Sequence, residues 1–389
     1  MFIELHMIQN FVPSNLNRDD TGSPKDCIFG GQRRARISSQ CLKRSIRMHD
    51  LFATTTQVPT SKRTQYLATL LKKALKHHDL PKEQVEAITV ELAHEYTTKP
   101  GKAVKRDASD PEKTAILVFI SHQEIKAIVD QLVEHWDELT RDEKSQRAVI
   151  QDIVNQMTKD FDKRVGAPDI ALFGRMLTSH PSLDLNAACQ VAHAISTHRV
   201  SMEMDYFTAV DDVREEHEET GAGHINTLGF NSSCFYRYVR IDWDQLLNNL
   251  NGDVDLARRT VEGFLRASIA AVPSGKQNST APLNPPSFLL AVVRTDGMGW
   301  NLANAFEKPV SASHSSSLVE GSIAALDRYW GKLEVMYGSE TLTKVSSLNL
   351  DGEALTHLNG DRAAANLNDW IDAVLSALPA SIEMSGSVS

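Results

Sequence analysis

Residues 234–243 read CFYRYVRIDW, and this aromatic, β-branched stretch predicts a core strand over 234–242. A helix is predicted after it, from 254 to 272, because apolar residues recur there near one helical face. A second strand is predicted at residues 288–294, which read FLLAVVR. Strand, helix and strand in this order form a β-α-β unit.

The segments before residue 234 are predicted to supply the remaining strands and helices of the same core. Residues 2–9, FIELHMIQ, alternate apolar and polar side chains as a half-buried strand does. Residues 10–31 are predicted to form a long irregular loop, and residues 186–198 a helix. With the basic helix described next, these elements predict an α+β protein with a split, ferredoxin-like β-α-β-β-α-β core.

Residues 27–49, CIFGGQRRARISSQCLKRSIRMH, carry six Lys and Arg and no acidic residue. The whole chain has a net charge of −9, so removing these six positive charges leaves −15 for the remainder. Gln40, Lys43, Arg44 and Arg47 recur with the spacing of one helical face, and Ser38 or Ser39 is the expected N-cap. A local positive patch on an acidic protein favours nucleic acid as the partner, and a merely solvated basic face is the alternative.

Composition narrows the class of protein. The 389 residues are 41% hydrophobic, enough for a large core, and no run approaches the ~18 apolar residues of a membrane span. The first residues lack the pattern of a signal peptide, so we expect a cytoplasmic protein without membrane contact. Four scattered cysteines and the absence of an HExxH motif argue against a metal site, and no cofactor is expected.

Two further segments are predicted to be accessory parts of the fold. Residues 60–161 are charged and helical in pattern, which predicts a helical insertion. Residues 199–232 alternate apolar and polar residues toward an acidic tip at 215–223, which predicts a hairpin arm that contacts another molecule. The alternative is a hairpin folded back on its own core. The loop at 275–280, GKQNST, offers donors without carboxylates and is a candidate phosphate contact.

Several segments resemble the CasC-type backbone subunits of the type I-E CRISPR Cascade complex. These segments are LNRDD at 16–20, KDCIFGGQRRARISSQCLKRSIR at 25–47, ALFGRMLTS at 171–179, AHAISTH at 192–198, DYFTAVDD at 205–212, FYRYVRI at 235–241 and NLANAFEK at 301–308. The resemblance is weak between residues 51 and 165 and beyond residue 308.

The resemblance implies a hand-like subunit with an RRM-like palm, a helical fingers region and a β-hairpin thumb. The predicted parts are palm at 1–55, fingers at 56–182, a palm helix at 183–198, thumb at 199–232, palm at 233–380 and a disordered tail at 381–389. Several copies are expected to line up along one CRISPR RNA, together with other Cascade subunits and, when the guide pairs, target DNA.

The expected RNA contacts combine the basic residues with positions implied by the resemblance. Met176 matches the family's apolar wedge against a displaced base, although the sequence by itself favours core packing for this side chain. Tyr206 and Phe207 lie in the predicted thumb. The residues predicted to contact RNA are Arg18, Lys25, Arg36, Ser38, Gln40, Lys43, Arg44, Arg47, Arg175, Met176, Tyr206, Phe207, Thr208, Lys276, Gln277 and Asn278.

Three functions are compatible with these observations. The favoured one is a non-catalytic RNA-binding scaffold. The second is a metal-assisted ribonuclease that uses Asp19, Asp20 or Asp26 of the long loop, as related backbone subunits of type III complexes do. The third is an oligomer that forms without RNA when the basic helix of one copy meets the acidic thumb tip of the next.

Overall fold

The computed structural model describes residues 1–104, 106–159, 166–209, 224–295, 297–313, 316–350 and 355–380. The chain divides into two compact units. The first contains Met1–His49, Gln190–Ile241 and Phe264–Pro379, and the second contains Asp50–Cys189, Asp242–Gly263 and the residues from Ala380. The predicted thumb tip at 215–223 and the predicted tail at 381–389 lie outside the described residues.

The described part of the chain contains runs of consecutive strands and runs of consecutive helices. The strands are β1 Phe2–Ser14, β2 Asp26–Phe29, β3 Gln32–Ile37, β4 Lys62–Thr64, β5 Val118–Ile120, β6 Cys189–Val191, β7 Ala194–Ser196, β8 Glu203–Ala209, β9 His224–Asp242, β10 Phe288–Arg294 and β11 Leu342–Asn349. The helices are α1 Ser39–Arg47, α2 Asp50–Thr56, α3 Leu67–Leu75, α4 Lys82–Thr97, α5 His122–Glu134, α6 Trp136–Leu139, α7 Glu143–Lys159, α8 Pro168–Phe173, α9 Trp243–Asn249, α10 Val254–Ala270, α11 Gln277–Thr280, α12 Leu318–Tyr337 and α13 Leu367–Ser376.

The first unit is built on one large sheet in the order β11-β10-β1-β9-β7-β3-β2, with β6 and β8 also paired to β9. β1 pairs antiparallel with β10, from Phe2 opposite Arg294 to Ile8 opposite Phe288. The consecutive neighbours β10, β1, β9 and β7 have the strand order of a split β-α-β-β-α-β core, with α1 and α10 as its two helices. The expectation of an α+β fold is confirmed, and so is the predicted strand over residues 288–294.

Two local predictions were wrong. The helix expected over 186–198, and with it the palm helix at 183–198, does not form: this stretch contains β6 and β7. β7 pairs with two strands that are far from it in the sequence. Ile195 lies opposite Arg36 of β3 on one side and opposite Tyr236 of β9 on the other. The irregular loop expected over 10–31 is also shorter, because β1 continues to Ser14 and residues 26–37 form the β2–β3 hairpin.

A helix covers one face of this sheet. Ile323, Leu326 and Trp330 of α12 pack with Phe288, Leu290 and Val292 of β10 in one buried cluster. Tyr236 and Tyr238 of β9 belong to the same cluster, so these aromatic rings are core residues and are not available for base stacking.

The second unit is mainly helical in its described part. Apolar side chains of α3, α4, α5 and α7 form its core, and β4 pairs antiparallel with β5. α5 begins with a capping box, in which the Ser121 hydroxyl accepts from the Glu124 backbone N–H and the Glu124 carboxylate accepts from the Ser121 N–H. Among the described residues no helix is both long and apolar enough to cross a membrane.

The β2–β3 turn fixes the edge of the large sheet. Phe29 pairs with Gln32, and the two intervening residues Gly30 and Gly31 have φ of 57° and 71°. Two positive φ values are typical of a two-residue type I′ hairpin turn, which favours glycine at both positions. A Cβ at Gly30 would overlap the carbonyl oxygen of Glu307, whereas a Cβ at Gly31 would meet open space.

We predict that Gly30→Ala destabilises the protein by about 3 kcal/mol or more, because backbone strain adds to steric overlap with Glu307. Gly31→Ala is the matched control, and its positive φ should cost only about 1–2 kcal/mol. Thermal unfolding of the two variants measures the difference. Equal losses would show that the approach of Glu307 to Gly30 has no energetic role.

Candidate nucleic-acid interface

Helix α1 presents its charged residues on one side, as the spacing predicted. Leu42 and Ile46 are buried, Gln40 and Arg44 are exposed, and Lys43 and Arg47 are half-buried. No residue of the first turn is acidic, and the last turn contains two arginines. The helix thus anchors itself through its apolar side and leaves its cations at the surface.

The loop between β1 and β2 is held against the start of α1. Ser38 is the N-cap residue, but its hydroxyl makes no capping bond and the residue is only 1% exposed. Its backbone N–H donates to Oδ1 of Asn17 at 2.9 Å, while the Lys25 N–H donates to the Asn17 carbonyl at 2.8 Å. Asn17 therefore joins Lys25 to the N-terminus of α1, which makes Ser38 a buried link and not a surface contact.

Arg36 of β3 and His193 complete this cluster. The Arg36 N–H donates to the Lys25 carbonyl at 2.9 Å, and its guanidinium lies 3.3 Å from Nδ1 of His193. Burial, and then the positive charges of Arg36 and Lys25, lower the pKa of His193. Lys25 and Arg44 also act electrostatically on Cys41, whose pKa burial raises. We call Lys25, Arg36, Lys43, Arg44 and Arg47 the basic site.

The other two arginines of the basic segment have structural roles. Arg34 is completely buried and donates to the carbonyls of Ser196 at 3.1 Å and Phe306 at 2.7 Å. Arg33 forms an ion pair with Asp26 across the hairpin. Two of the six cations of residues 27–49 are therefore engaged within the fold.

Two of the three candidate catalytic carboxylates are also engaged. Asp19 accepts from the backbone N–H groups of Thr21 and Ser23, both at 2.9 Å, and from the Thr21 hydroxyl at 2.7 Å. That hydroxyl and the backbone donors lower the pKa of Asp19, so the carboxylate acts as a fixed acceptor that closes the loop. Asp26 is paired with Arg33, and Asp20 is exposed.

The predicted phosphate loop at 275–280 lies against the same loop. A Cβ at Gly275 would overlap the carbonyl oxygen of Leu16, so only glycine permits this approach. Gly275 and Arg18 line one open cleft, and Arg18 is exposed. Lys276 has a φ of 50° and precedes α11, with Lys276 and Gln277 half-buried and Asn278 exposed. These residues therefore extend the surface around Arg18.

Arg175 is buried, whereas its neighbour Met176 is exposed. The Arg175 side chain is 2% exposed and donates to Glu124 at 2.6 Å, to the Leu183 carbonyl at 3.0 Å and to the Phe119 carbonyl at 3.2 Å. It is a structural residue of the second unit, which corrects its prediction as an RNA contact. Met176 is 78% exposed, so core packing, which the sequence by itself favoured, is wrong.

The predicted arm is a hairpin of β8 and the first part of β9, with Glu203 opposite Phe230 and Ala209 opposite His224. Met204 and Tyr206 are 64% and 63% exposed, and Glu203 and Asp205 are also exposed. Both faces of β8 are therefore open over residues 203–206. For Phe207 and Thr208 the structure describes only the backbone, which pairs with Asn226 and Ile225.

His193 and Asn17 also belong to this region, although no sequence pattern singled them out. His193 lies 157 residues from Arg36 in the sequence, and no motif connects the two. Asn17 was treated as one polar residue of an irregular loop. Both residues lie within segments that carry the resemblance. Asn17 is part of LNRDD at 16–20, and His193 is part of AHAISTH at 192–198.

Comparison with known proteins gives a family and two similar structures. A family model described as CT1975-like protein matches residues 3–373. One solved chain, from a "CRISPR RNA-guided surveillance complex, pre-nicking", is 29% identical with a TM-score of 0.82, covering 97% of this chain and 100% of its own. Another, from a "CRISPR RNA-guided surveillance complex", is 25% identical with a TM-score of 0.72 and the same coverage. A comparison with curated proteins gives no match.

We predict that Arg175→Met lowers the free energy of unfolding by about 3–5 kcal/mol, because it leaves the buried Glu124 carboxylate without its cation. Met176→Ala, one residue further along, should change it by less than about 0.5 kcal/mol since the side chain is exposed. Thermal and urea unfolding of both variants provide the measurement. A mild effect of Arg175→Met would contradict the interior ion pair.

Proposed function

Because the chain belongs to the CT1975-like protein family, we propose that it is a non-catalytic subunit that binds CRISPR RNA in a type I-E Cascade complex, as a backbone subunit of the CasC type. In this proposal several copies line up along one guide and leave its bases available for pairing with target DNA. The other Cascade subunits are further partners. The arm of β8 and β9 corresponds to the thumb, and the helical insertion to the fingers.

The observation that carries the proposal is the basic site on an otherwise acidic chain. Lys25, Arg36 and the cations of α1 lie on neighbouring elements that hydrogen bonds hold together, because Asn17 accepts from the N–H groups of Lys25 and Ser38 and the Lys25 carbonyl accepts from the Arg36 N–H. Contacts from Lys and Arg to phosphates position a nucleic acid without reading its sequence. Such contacts suit a protein that must carry guides of any sequence.

The similar structures support the same proposal. Both matched chains come from assemblies described as RNA-guided surveillance complexes, and both are covered over their full length. A ribonuclease has less support, because Asp19 closes a turn and Asp26 is paired with Arg33. The third candidate carboxylate, Asp20, is exposed.

We predict that Lys43→Ala/Arg44→Ala/Arg47→Ala weakens CRISPR RNA binding and reduces its salt dependence. Each phosphate contact to single-stranded nucleic acid contributes about 0.7 to the slope of log affinity against log salt, so the slope should fall by about 2. Fluorescence anisotropy with a labelled guide, at several salt concentrations, measures both quantities.

The matched control removes three exposed cations from the second unit, as Lys73→Ala/Lys76→Ala/Lys82→Ala. It changes net charge equally and should leave the slope intact. An equal loss in both triple variants would mean that net charge, not the basic site, determines binding. RNA cleavage that disappears in Asp26→Ala would replace the scaffold with the nuclease.

We also predict that Met204→Ser/Tyr206→Ser leaves thermal stability unchanged within about 0.5 kcal/mol, since both side chains are exposed. RNA-dependent assembly of several copies should nevertheless decrease, because exposed apolar residues on an arm are suited to contact with RNA or a neighbouring copy. Size-exclusion chromatography with and without guide RNA measures assembly, and Leu117→Ser is the exposed control in the second unit. Assembly without RNA would favour the structural oligomer.

A further inference from the structure

His193 lies in the two-residue connection between β6 and β7, beside β3 and α1. The residue is exposed, and its Nδ1 atom lies 3.4 Å from the backbone N–H of Ser39 in α1. The guanidinium of Arg36 in β3 lies 3.3 Å from the same atom. One imidazole nitrogen thus faces two hydrogen-bond donors at the edge of the basic site.

We propose that His193 is a member of the RNA-binding site and that the site takes up a proton on this imidazole when the RNA backbone binds. This inference rests on the proposed RNA-binding function and adds to it a residue and a dependence on pH. The ligand group is the phosphodiester, which is common to every guide sequence.

The two hydrogen-bond donors at Nδ1 favour the neutral ring. Ser39 N–H and the Arg36 guanidinium can only donate, so Nδ1 must present its lone pair to accept from either of them. A proton at Nδ1 would lose both interactions and would place a further positive charge beside Arg36. In agreement with this geometry, burial and the charges of Arg36 and Lys25 lower the pKa of His193.

A bound phosphodiester reverses these conditions. Its negative charge offsets Arg36 and Lys25, and it gives an imidazolium an anion to which it can donate. The pKa of His193 is then higher in the complex than in the free protein. By linkage, affinity increases as pH falls between the higher, bound-state pKa and the lower, free-state pKa, and it is constant outside this window.

The other ionisable groups of this cluster are Lys25, Arg36, the Cys41 thiol of α1 and the Asp26 carboxylate of β2. Burial raises the pKa of the Cys41 thiol, so it remains neutral at mildly acidic pH, and Asp26 forms an ion pair with Arg33. Imidazole is the side chain whose ordinary pKa lies nearest neutral pH, so the proposed proton uptake is assigned to His193.

The test compares guide RNA affinity between pH 5.5 and 8 at constant ionic strength for the wild-type chain, His193→Gln and His77→Gln. Glutamine keeps a hydrogen-bond acceptor but does not titrate, and His77 is an exposed histidine of the second unit. We expect wild-type and His77→Gln affinity to rise by about tenfold as pH falls, corresponding to one unit of pKa shift. His193→Gln should lose this dependence.

A measurement on the unaltered protein makes the test independent of how the variants fold. Calorimetric titration with guide RNA in two buffers of different ionisation enthalpy gives the number of protons taken up, which for a one-unit pKa shift should reach about half a proton per bound copy at a pH midway between the two pKa values. No uptake, or equal pH dependence in wild type and His193→Gln, overturns the role of His193. Failure of the wild-type chain to bind RNA at any pH would instead overturn the proposed function.

Discussion

The edge of the large sheet depends on one buried cation, Arg34. Its guanidinium donates to the carbonyls of Ser196, Phe306 and Glu307, which belong to β7 and to the segment after β10. A charged group without water is costly unless its hydrogen bonds are made inside the protein, so these carbonyls and the β2–β3 hairpin must keep one arrangement. The hairpin contains Arg36, and α1 follows it directly. The position of the basic site is therefore a consequence of the burial of Arg34.

The fold was predictable where the hydrophobic pattern is long. The strand at 288–294, the helix that begins at Val254 and the buried face of α1 all follow from periodicity in the sequence. The stretch at 186–198 was not predictable in this way, because β6 and β7 have three residues each. The apolar spacing of so short a run fits a helix and a strand equally well. The strand forms because this stretch pairs with β3 and β9.

The sequence predicts the positive charge of the candidate site, but it does not predict which of its side chains are buried and which are exposed. Arg34 and Arg36 are two residues apart, yet one lies in the core and the other at the surface. Arg175 is buried against two partners that are not its sequence neighbours. Glu124 lies 51 residues away in the sequence, and Leu183, whose carbonyl accepts from Arg175, lies eight residues away. Its neighbour Met176 is exposed as a result. Such assignments depend on tertiary partners, which a single sequence does not reveal.

Strand β9 runs without interruption from His224 in the arm to Asp242 at the end of the core strand. In a strand, the addition or loss of one residue moves every following side chain to the other face. A single-residue insertion within 224–233 would therefore exchange the two faces of either the arm or the core strand, so that buried side chains of that part become exposed. Within the paired strands, a change of length that keeps these faces therefore requires pairs of residues or a β-bulge that absorbs the extra residue. The pairing register of the arm and that of the core strand are thus coupled, because one continuous strand contributes to both.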